Sequence, residues 1–452
     1  MQIEQDILKL CEYAVKVAAE GGATSSEARA QATSELETDI ELAQIASVNQ
    51  SIDTGIAVRV YVGKKMGSAF TNIPTEESVR DIVQLALRSA ESTTEDPDFV
   101  SLPEPQKYAA PEGLWSEDVA NRDPGSIVES TGNLISKASQ AEQGLILMGG
   151  GTGVVSMRAA YANSNGVSIA EKGTISYVVA VAVAQTETGM TPMTFSFDIS
   201  RDLNTDMDGT VEDVASTIRL CKKTAHGKSG KHTVVFHPHA YSQIMTYTLV
   251  ASLRGDNVAR GKSKIADKIG DKIASDIFSL VDDGLYPQGA ATSIADDEGV
   301  PRQRTPLIES GVLRSFLWDT YWANKMGVKS TGNANRNMRS GLVEIHHSNL
   351  VVEPGKRDIE SIIAGIDHGY FIQGVQGAHS SNPESGDFSV VGNPAFLIEK
   401  GKLVGSVSGL MVSGNIYELL QNVTETAAAP HKLQDWIAPE IVAENVDVIV
   451  RE

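Results

Sequence analysis

The stretch HPHAYSQIMTYTLVASLRGD, residues 237–256, is the part of this sequence that most decides the fold. A strand-like segment, KHTVVF (231–236), runs directly into it. Pro238 suits the first turn of a helix, where its missing N–H has no intrahelical partner to lose. Apolar residues then recur at helical spacing, and Gly255 is the predicted stop. We expect a strand that feeds a buried helix, yet the inward positions of this helix carry Thr, Tyr, Leu, Val and Ala rather than catalytic groups.

Composition indicates an acidic, globular protein of two or three domains. The chain has 452 residues, of which 41% are hydrophobic, so it can bury real cores. Its net charge of −20 disfavours binding to nucleic acid or to an anionic membrane, because such a field repels phosphate. Two distant cysteines, Cys11 and Cys221, are too few for a disulfide framework or a four-cysteine zinc site, which favours a cytoplasmic location. The first ten residues lack a signal-peptide pattern, and the longest apolar run (177–184) is too short to span a bilayer.

The order of the predicted elements gives an α+β fold. Each of two N-terminal blocks is predicted to contain a helix, then antiparallel strands, then a second helix. A strand-rich C-terminal domain follows these blocks. The predicted helices of the two blocks are 3–20, 75–91, 124–141 and 210–223. Their predicted strands are 26–42, 44–51, 55–61, 146–148, 153–162, 166–171 and 175–187. The two blocks can be two related layers, or the second can extend the sheet of the first.

Three domains follow from this order. Residues 1–112 form an N-terminal α+β domain with a Pro-rich, acidic linker, 113–228 a central α+β domain, and 229–452 a C-terminal β-rich domain. Glycine and proline divide the last domain into short strands, which predict a largely antiparallel sheet or a barrel-like body. These strands are 299–308, 312–319, 342–352, 369–375, 387–396 and 402–412, and a helix follows at 416–423.

Histidines and clustered carboxylates are the residues most able to carry chemistry. His237 and His239 bracket Pro238, and His346-His347 ends a strand, so four imidazoles could make a metal site. Neighbouring strand residues point to opposite faces, however, so at most one of that pair can join a common site. The acidic residues 296–298 are followed by a glycine, a pattern that is typical of a turn. For Arg336 we expect a surface ion pair. From residue chemistry alone, no nucleophile–base pair or metal triad stands out.

Five long stretches of the third block resemble the TldD/PmbA (TldD/TldE) family. They are GDNVARGKSKIADKIGDKIAS (255–275), DDEGVPRQRTPLIESGVL (296–313), STGNANR (330–336), GAHSSNPESGDFSV (377–390) and LIEKGKLVGSVSGLMVSGNIYELL (397–420). ANSNGV (162–167) is similar to the family's second segment, so the resemblance covers nearly the whole chain.

The resemblance implies a zinc site that this chain does not carry. The TldD-type subunit looks like a zinc peptidase, whose helix holds HExxxH shortly before a Gly-Asp pair and whose late Cys-Gly supplies another ligand. Counted back from the Gly-Asp pair at 255–256, the two histidine positions are Thr246 and Ala251, and the position of the base is Tyr247. The late cysteine maps onto Ser413. Histidines five apart can share a metal only across a locally widened turn.

We therefore interpret the chain as a PmbA/TldE-like member that lacks the HExxxH motif, with no catalytic and no metal-binding residues. It is expected to be the non-catalytic subunit of a TldD/TldE-like cytoplasmic metallopeptidase complex that degrades or processes unfolded peptides. Zinc is expected only in a TldD-like partner. The residues expected to line a cavity at the degenerate site are Thr246, Tyr247, Ala251, Ser413 and His379.

Other functions remain open at this point. The chain could be a stand-alone peptide-binding or regulatory homodimer. It could also be a hydrolase with an unrecognised site, built from His237, His239 and His347 or from the hydroxyl of Ser413. An older label in the family is modulator of DNA gyrase. If the chain has this function, it would act indirectly through proteolysis, because its charge of −20 disfavours direct binding to DNA.

Overall fold

The chain has an α+β fold in which helices cover an N-terminal sheet and a strand-rich C-terminal domain follows. The computed structural model describes residues 2–186 and 189–451. The helices of the N-terminal half are α1 (Gln2–Glu20), α2 (Glu76–Ser92), α3 (Glu117–Ala120), α4 (Pro124–Ala141) and α5 (Met207–Cys221). Its strands are β1 (Ser25–Glu41), β2 (Gln44–Val62), β3 (Lys65–Thr71), β4 (Leu145–Asn163), β5 (Ser168–Thr186), β6 (Gly189–Met190) and β7 (Thr194–Ser200).

All the strands of the N-terminal half belong to one antiparallel sheet. Its order is β3-β2-β1-β4-β5-β6, with β7 also paired to β5. Because β1 of the first block pairs with β4 of the second, the second block extends the sheet of the first. The helices α1 and α2 cover one end of the long strands, and α4 and α5 cover the other. The three-domain division stays a prediction.

Several predicted strands are pieces of longer ones. The predicted strands 44–51 and 55–61 form the single strand β2, and two further pairs merge into β4 and β5. The predicted end of β5 at Glu187 lies outside the described residues. Exposed polar residues in the middle of β2 hide its continuity in the sequence, whereas pairing with β1 along its whole length keeps it extended.

The N-terminal helix boundaries follow local capping chemistry. The side chains of Thr75 and Asp123 accept backbone N–H groups at the starts of α2 and α4, which lie at or within one residue of the predicted helix starts. Helix α5 starts three residues before the predicted Thr210, because Asp206 accepts the N–H of Gly209. Across the described ranges, no helix combines the length and apolar character needed to cross a bilayer.

The C-terminal domain consists mainly of short strands. Its helices are α6 (Pro238–Met245), α7 (Ala251–Leu253), α8 (Gly255–Ala259), α9 (Thr320–Met326), α10 (Ile359–Ala364) and α11 (Ile416–Gln421). Its first strands are β8 (Gly230–Phe236), β9 (Leu280–Asp283), β10 (Arg304–Glu309), β11 (Val312–Leu313), β12 (Ala334–Arg336), β13 (Val343–Ile345), β14 (Leu350–Val352), β15 (His368–Ile372) and β16 (Val375–Gln376). The later strands are β17 (Asp387–Gly392), β18 (Ala395–Glu399), β19 (Lys402–Ser406), β20 (Leu410–Asn415), β21 (Val423–Thr426), β22 (His431–Lys432), β23 (Trp436–Ala438) and β24 (Ile441–Val450).

Two larger sheets, both open, build this domain. One has the order β16-β17-β20-β24-β8-β15-β18-β19, with β21 on β24, and the other β11-β10-β9-β14-β23-β22. Most pairs are antiparallel, but β8–β15 and β14–β23 are parallel. The predicted strand 312–319 shortens to two residues, because Phe316, Leu317 and Trp318 turn into the core around the helix that follows β8.

A buried ionic junction joins the two halves. We use this name for Glu27, Arg59, Glu298 and Arg336. The carboxylate of Glu27, with no exposure to solvent, accepts from Arg336 Nη2 at 2.7 Å and pairs with Arg59. Arg59 in turn bonds Glu298 at 3.0 Å. Burial alone would raise the pKa of Glu27, but Arg336 and Arg59 lower that pKa to about 2. The surface ion pair predicted for Arg336 was therefore wrong, since the residue is 4% exposed.

Replacing Glu27 by glutamine should strongly destabilise the fold. The variant would leave the buried guanidinium of Arg336 without its countercharge and Arg59 with Glu298 alone. Breaking a buried pair in this way costs about 3–5 kcal/mol. Urea unfolding of Glu27→Gln measures the loss of unfolding free energy. Glu309→Gln is the matched control, because Glu309 pairs with Arg314 at the surface and should change stability by less than about 1 kcal/mol. Equal stabilities of the two variants would contradict the role given to the junction.

Candidate functional site

The helix that follows β8 starts where the sequence predicts. His237 is its N-cap: Nδ1 accepts the backbone N–H of His239 at 3.2 Å, and Pro238 takes the first helical position. Its apolar face, which includes Ile244, Leu249 and Leu253, is buried in the main core of the C-terminal domain. The helix is therefore fixed by packing along its length.

The middle of this helix is widened. Thr246–Val250 is a π-helical segment, in which hydrogen bonds span five residues instead of four. The hydroxyl of Thr246 bonds the carbonyl of Ser242 at 2.8 Å, and that of Thr248 bonds the carbonyl of Ile244 at 2.6 Å. Asn257 also donates to the carbonyl of Ala251 at 2.8 Å. This segment, called the widened turn below, has the local geometry that residues five apart need to share a ligand.

The end of the helix differs from the prediction. Leu253 is the last helical residue, and Arg254 is extended before the short helix α8 begins. A Cβ atom at Gly255 would lie 2.0 Å from the Trp318 ring. Glycine is therefore required there for packing against Trp318, not as the predicted helix stop.

Four of the five predicted site residues lie in one region. Thr246 and Tyr247 are exposed on the widened turn, and Ala251 follows it half-buried. His379 is exposed on a 3₁₀ turn, Ala378–Ser380, that packs against α6 and the widened turn. The edge strand β16 also packs against α6. The helix, the turn and the strand edge thus form one continuous surface, called the degenerate-site surface below.

Ser413 lies elsewhere. Its neighbour Val412 is buried in the same core as Leu249 and Val250. Successive strand residues point to opposite faces, so Ser413 points away from the helix. It lines a small cavity beside Glu418 and Glu444 instead. The structure does not bring Ser413 to the other four residues.

The side chains at the positions where the resemblance implies zinc ligands do not fit a zinc ion. Zinc prefers thiolate, imidazole and carboxylate ligands. Thr246, Tyr247 and Ala251 offer a hydroxyl, a phenol and a methyl group, and Ser413 faces the other side of the sheet. No His in the sequence is followed by Glu, so the HExxxH motif is absent from the chain.

A second candidate site is a cavity of about 450 Å³ at the N-terminal end of the same helix, called the histidine cavity below. His237, His431 and Glu440 place ligand atoms within 4.8 Å of one another there. His431 Nε2 bonds Glu440 Oε1 at 2.8 Å. The ring of His239 meets the rings of Phe195 and Phe197 edge-on.

Electrostatics divide these histidines into two kinds. Burial, reinforced by His431, lowers the pKa of His239 to about 4 and that of His237 well below the usual range. Burial also opposes protonation of His431, but the hydrogen bond and charge of Glu440, with Asp213, raise its pKa. The cavity thus places a proton-holding His431–Glu440 pair beside two neutral imidazoles.

Hydrogen bonding favours this interpretation over a metal site. Because Nδ1 of His237 accepts the N–H of His239, its neutral ring carries the proton on Nε2. A metal bound to Nε2 would displace that proton to Nδ1. Nδ1 could then no longer accept the N–H of His239, and the helix would lose its cap bond. His346 and His347 line a different cavity, so the four imidazoles do not meet. Both lie beyond the end of β13 at Ile345, and neither joins His237 and His239, which is compatible with the prediction that at most one of the pair could do so.

Sequence reasoning missed His431 and Glu440. They lie about 200 positions from His237, in a segment with no motif of its own. The strands β22 and β23 have only two and three residues, so they show no alternation of apolar and polar residues from which a strand could be predicted. The sequence therefore does not indicate that His431 and Glu440 lie at the helix cap.

Comparisons with known proteins agree along the chain. The model of the PmbA/TldA metallopeptidase C-terminal domain matches residues 229–450, and that of PmbA/TldA metallopeptidase domain 1 matches residues 26–90. The crystal structure of TldE from Thermococcus kodakarensis superposes with a TM-score of 0.93 at 33% identity, covering 97% of this chain and 99% of that one. An uncharacterised protein of Methanocaldococcus jannaschii is 32% identical over 86% of this chain and 88% of its own length. The metalloprotease TldD homologue of Buchnera aphidicola (strain APS) is 33% identical, but over only 38% of this chain and 35% of its own.

The chain therefore belongs to the TldD/PmbA family, the PmbA/TldA metallopeptidases. This confirms the resemblance read from the sequence.

Restoring two histidines should give the helix some zinc affinity. We expect Thr246→His/Ala251→His to bind zinc more tightly than either single variant, because the widened turn brings positions five apart to one side. Adding Ser413→Cys should contribute nothing, since that residue faces away. Zinc titration against a competing chelator measures both effects. Double and single variants of equal affinity would show that the turn does not pair these positions.

The histidine cavity should make stability depend on pH. In the folded chain the pKa of His239 is lowered to about 4, whereas in the unfolded chain it is about 6.5. Between these two values the unfolded chain binds more protons than the folded chain. The free energy of unfolding therefore decreases as the pH falls from 6.5 to 4. His239→Phe keeps a ring between Phe195 and Phe197 but cannot titrate. Urea midpoints at pH 7 and 4.5 should therefore differ less in this variant than in the natural chain. An unchanged difference would mean that His239 is accessible to protons in the folded state.

Proposed function

We propose that this chain is the non-catalytic subunit of a TldD/TldE-like metallopeptidase complex that acts on unfolded peptides. One observation carries the proposal: the helix keeps its widened turn although Thr246 and Ala251 stand at the ligand positions. A backbone shaped for the zinc helix but without ligands suits a subunit that forms a wall beside the zinc site of its partner. The partner would be a TldD-like zinc peptidase subunit.

The pattern of similarity supports this role. The likeness to TldE extends over almost the entire chain, whereas the likeness to the Buchnera TldD homologue covers about a third of that protein. Both observations fit most simply if the chain acts as a TldE-like subunit that binds no zinc at the positions where the family resemblance implies zinc ligands.

The degenerate-site surface could also hold a peptide. The strand β16 is the edge of the nine-stranded sheet and packs beside α6. An extended peptide can add to such an edge through main-chain hydrogen bonds, which hold substrate with little regard to sequence. Tyr247 is 44% exposed on the same surface and offers an aromatic face to that peptide. Binding of this kind would suit an unfolded substrate.

Reconstitution tests the proposal. We expect this chain alone to hydrolyse no unfolded peptide, and a mixture with the TldD-type protein of the same genome to form a complex that does. Zinc analysis should find the metal in the partner. Zinc-dependent cleavage by this chain alone would overturn the proposal. A stable homodimer that binds peptide and ignores the TldD-type protein would instead identify a peptide-binding or regulatory homodimer.

One surface variant sharpens this test. Tyr247→Arg should lower peptide hydrolysis by the complex by about tenfold, equivalent to ~1.4 kcal/mol of lost interaction, because it places a charge on the degenerate-site surface. Ile277→Arg is the matched control, since Ile277 is 49% exposed outside that surface. Equal losses in both variants would show that Tyr247 has no special place in the complex.

The histidine cavity favours a second candidate, a hydrolase with its own site. Its observation is the convergence of His237, His431 and Glu440 within 4.8 Å in a cavity. His347 takes no part, because it lies in another cavity and bonds Asp435 at 2.8 Å. Any hydrolysis by the isolated chain should vanish in His431→Gln if this site is responsible. Retention of that activity would eliminate this candidate.

A further inference from the structure

A second cavity of about 450 Å³ lies between the N-terminal sheet and the C-terminal domain. Its walls come from β1, β4 and β5 on one side and from segments 290–302 and 335–347 on the other. Asn335 and His346 at its rim are exposed, so the cavity opens to solvent. We call it the cationic cavity.

The charge of this cavity is opposite to that of the protein. The chain carries a net charge of −20. The cavity is nevertheless lined by five cationic side chains and two carboxylates: Arg29, Lys172, Arg201, Arg302 and Arg336 against Glu171 and Asp297. Cations concentrated in a concave, partly desolvated site attract anions more strongly than the same cations spread over the surface.

Two of these arginines keep unused donors. Arg336 is 4% exposed and bonds Glu27 through Nη2, but its Nε and Nη1 have no hydrogen-bond partner among the described residues. Arg29 is 6% exposed and pairs with Asp297 at 2.7 Å, and its Nε is also unpartnered. Buried donors without acceptors are rare and costly, and both arginines belong to the lining of the cavity, so an acceptor oxygen from a ligand in the cavity would satisfy these donors.

The other arginines are held by neutral groups. Arg201 donates to the carbonyl oxygens of Gly289, Ala290 and Thr292 at 2.7–3.1 Å. Arg302 donates to the Ser293 hydroxyl at 3.1 Å and to a backbone carbonyl. These bonds fix the guanidinium groups in place, but carbonyl and hydroxyl dipoles do not neutralise their charge.

The remaining lining suits an anion with an apolar body. Leu114, Val155, Met157 and Ile175 line the same cavity. Guanidinium forks recognise carboxylate and phosphate alike, but inorganic phosphate has no apolar surface to bury against these residues. A peptide ending in an apolar residue offers both a terminal carboxylate and a side chain. The rest of the peptide would leave through the rim.

We infer that the cationic cavity binds the C-terminal carboxylate of a peptide, through Arg29, Arg302 and Arg336, with the last side chain against the apolar wall. The inference rests on the proposed function only in taking a peptide as the ligand. It adds an end-recognition site separate from the degenerate-site surface. Peptides with a free C-terminus would therefore be preferred over internal segments.

Binding of matched peptides to the purified chain tests this inference. Calorimetry compares acetyl-Ala-Ala-Leu as the free acid with the same peptide as its C-terminal amide. We expect the acid to bind about tenfold more tightly, the ratio expected from one charge-assisted pair. Equal binding of acid and amide, or no binding of either, would overturn the inference. Inorganic phosphate that binds as tightly as the acid would replace the peptide with a phosphate ligand.

Two arginine variants locate the site. Arg302→Gln should reduce the acid-to-amide ratio towards one. Its melting temperature should fall by only a few degrees, because the amide nitrogen can replace Nε on Ser293 and only the bond from Nη1 to the Gly332 carbonyl is lost. Arg304→Gln is the matched control, since Arg304 lies two residues away outside the cavity. A ratio retained in Arg302→Gln would refute this placement. Failure of the TldD reconstitution would leave the peptide ratio of the isolated chain unaffected, so the two proposals can fail separately.

Discussion

The carboxylate of Glu27 is the group on which the arrangement of the two halves depends. It lies without solvent exposure between Arg59 of the N-terminal sheet and Arg336 of the C-terminal domain. Buried charges are tolerated only when they are paired, so the two halves are required to meet in one register. That register sets Asp297 and Arg336 against Arg29 and Glu27 of β1, and Asp297 and Arg336 also line the cationic cavity. The junction therefore both joins the halves and shapes the cavity between them.

Backbone shape and metal chemistry are separable in the helix after β8. The widened turn is maintained by core packing on one side and by hydroxyl groups that bond the preceding turn on the other. Neither requires a metal ligand. Membership of the TldD/PmbA family is therefore compatible with a helix that has a widened turn and carries threonine and alanine at positions 246 and 251.

Predictions from the sequence succeeded where the signal was local. The helices that follow Thr75, Asp123 and His237 start at or within one residue of their predicted positions, because each of these side chains bonds a backbone group two or three positions away. Strand continuity in β2 was missed, since it depends on partners on both sides rather than on its own polar middle. Proximity follows the same rule: Thr246, Tyr247 and Ala251 lie close together because they share one helix. His431 and Glu440 were not found, because they reach that helix only through the sheet.

The sequence by itself determined the fold class, the family and the absence of an HExxxH motif, because these depend on residue identities within single segments. Only the tertiary structure decided that the turn is widened, that Ser413 faces away from it, and that Arg336 is buried against a glutamate 309 positions away. The physical reason is that neighbours from distant parts of the chain determine which residues are buried, which charges pair, and to which side of a sheet a strand residue points. A local pattern can specify a helix or a cap, but not the partner that it will meet.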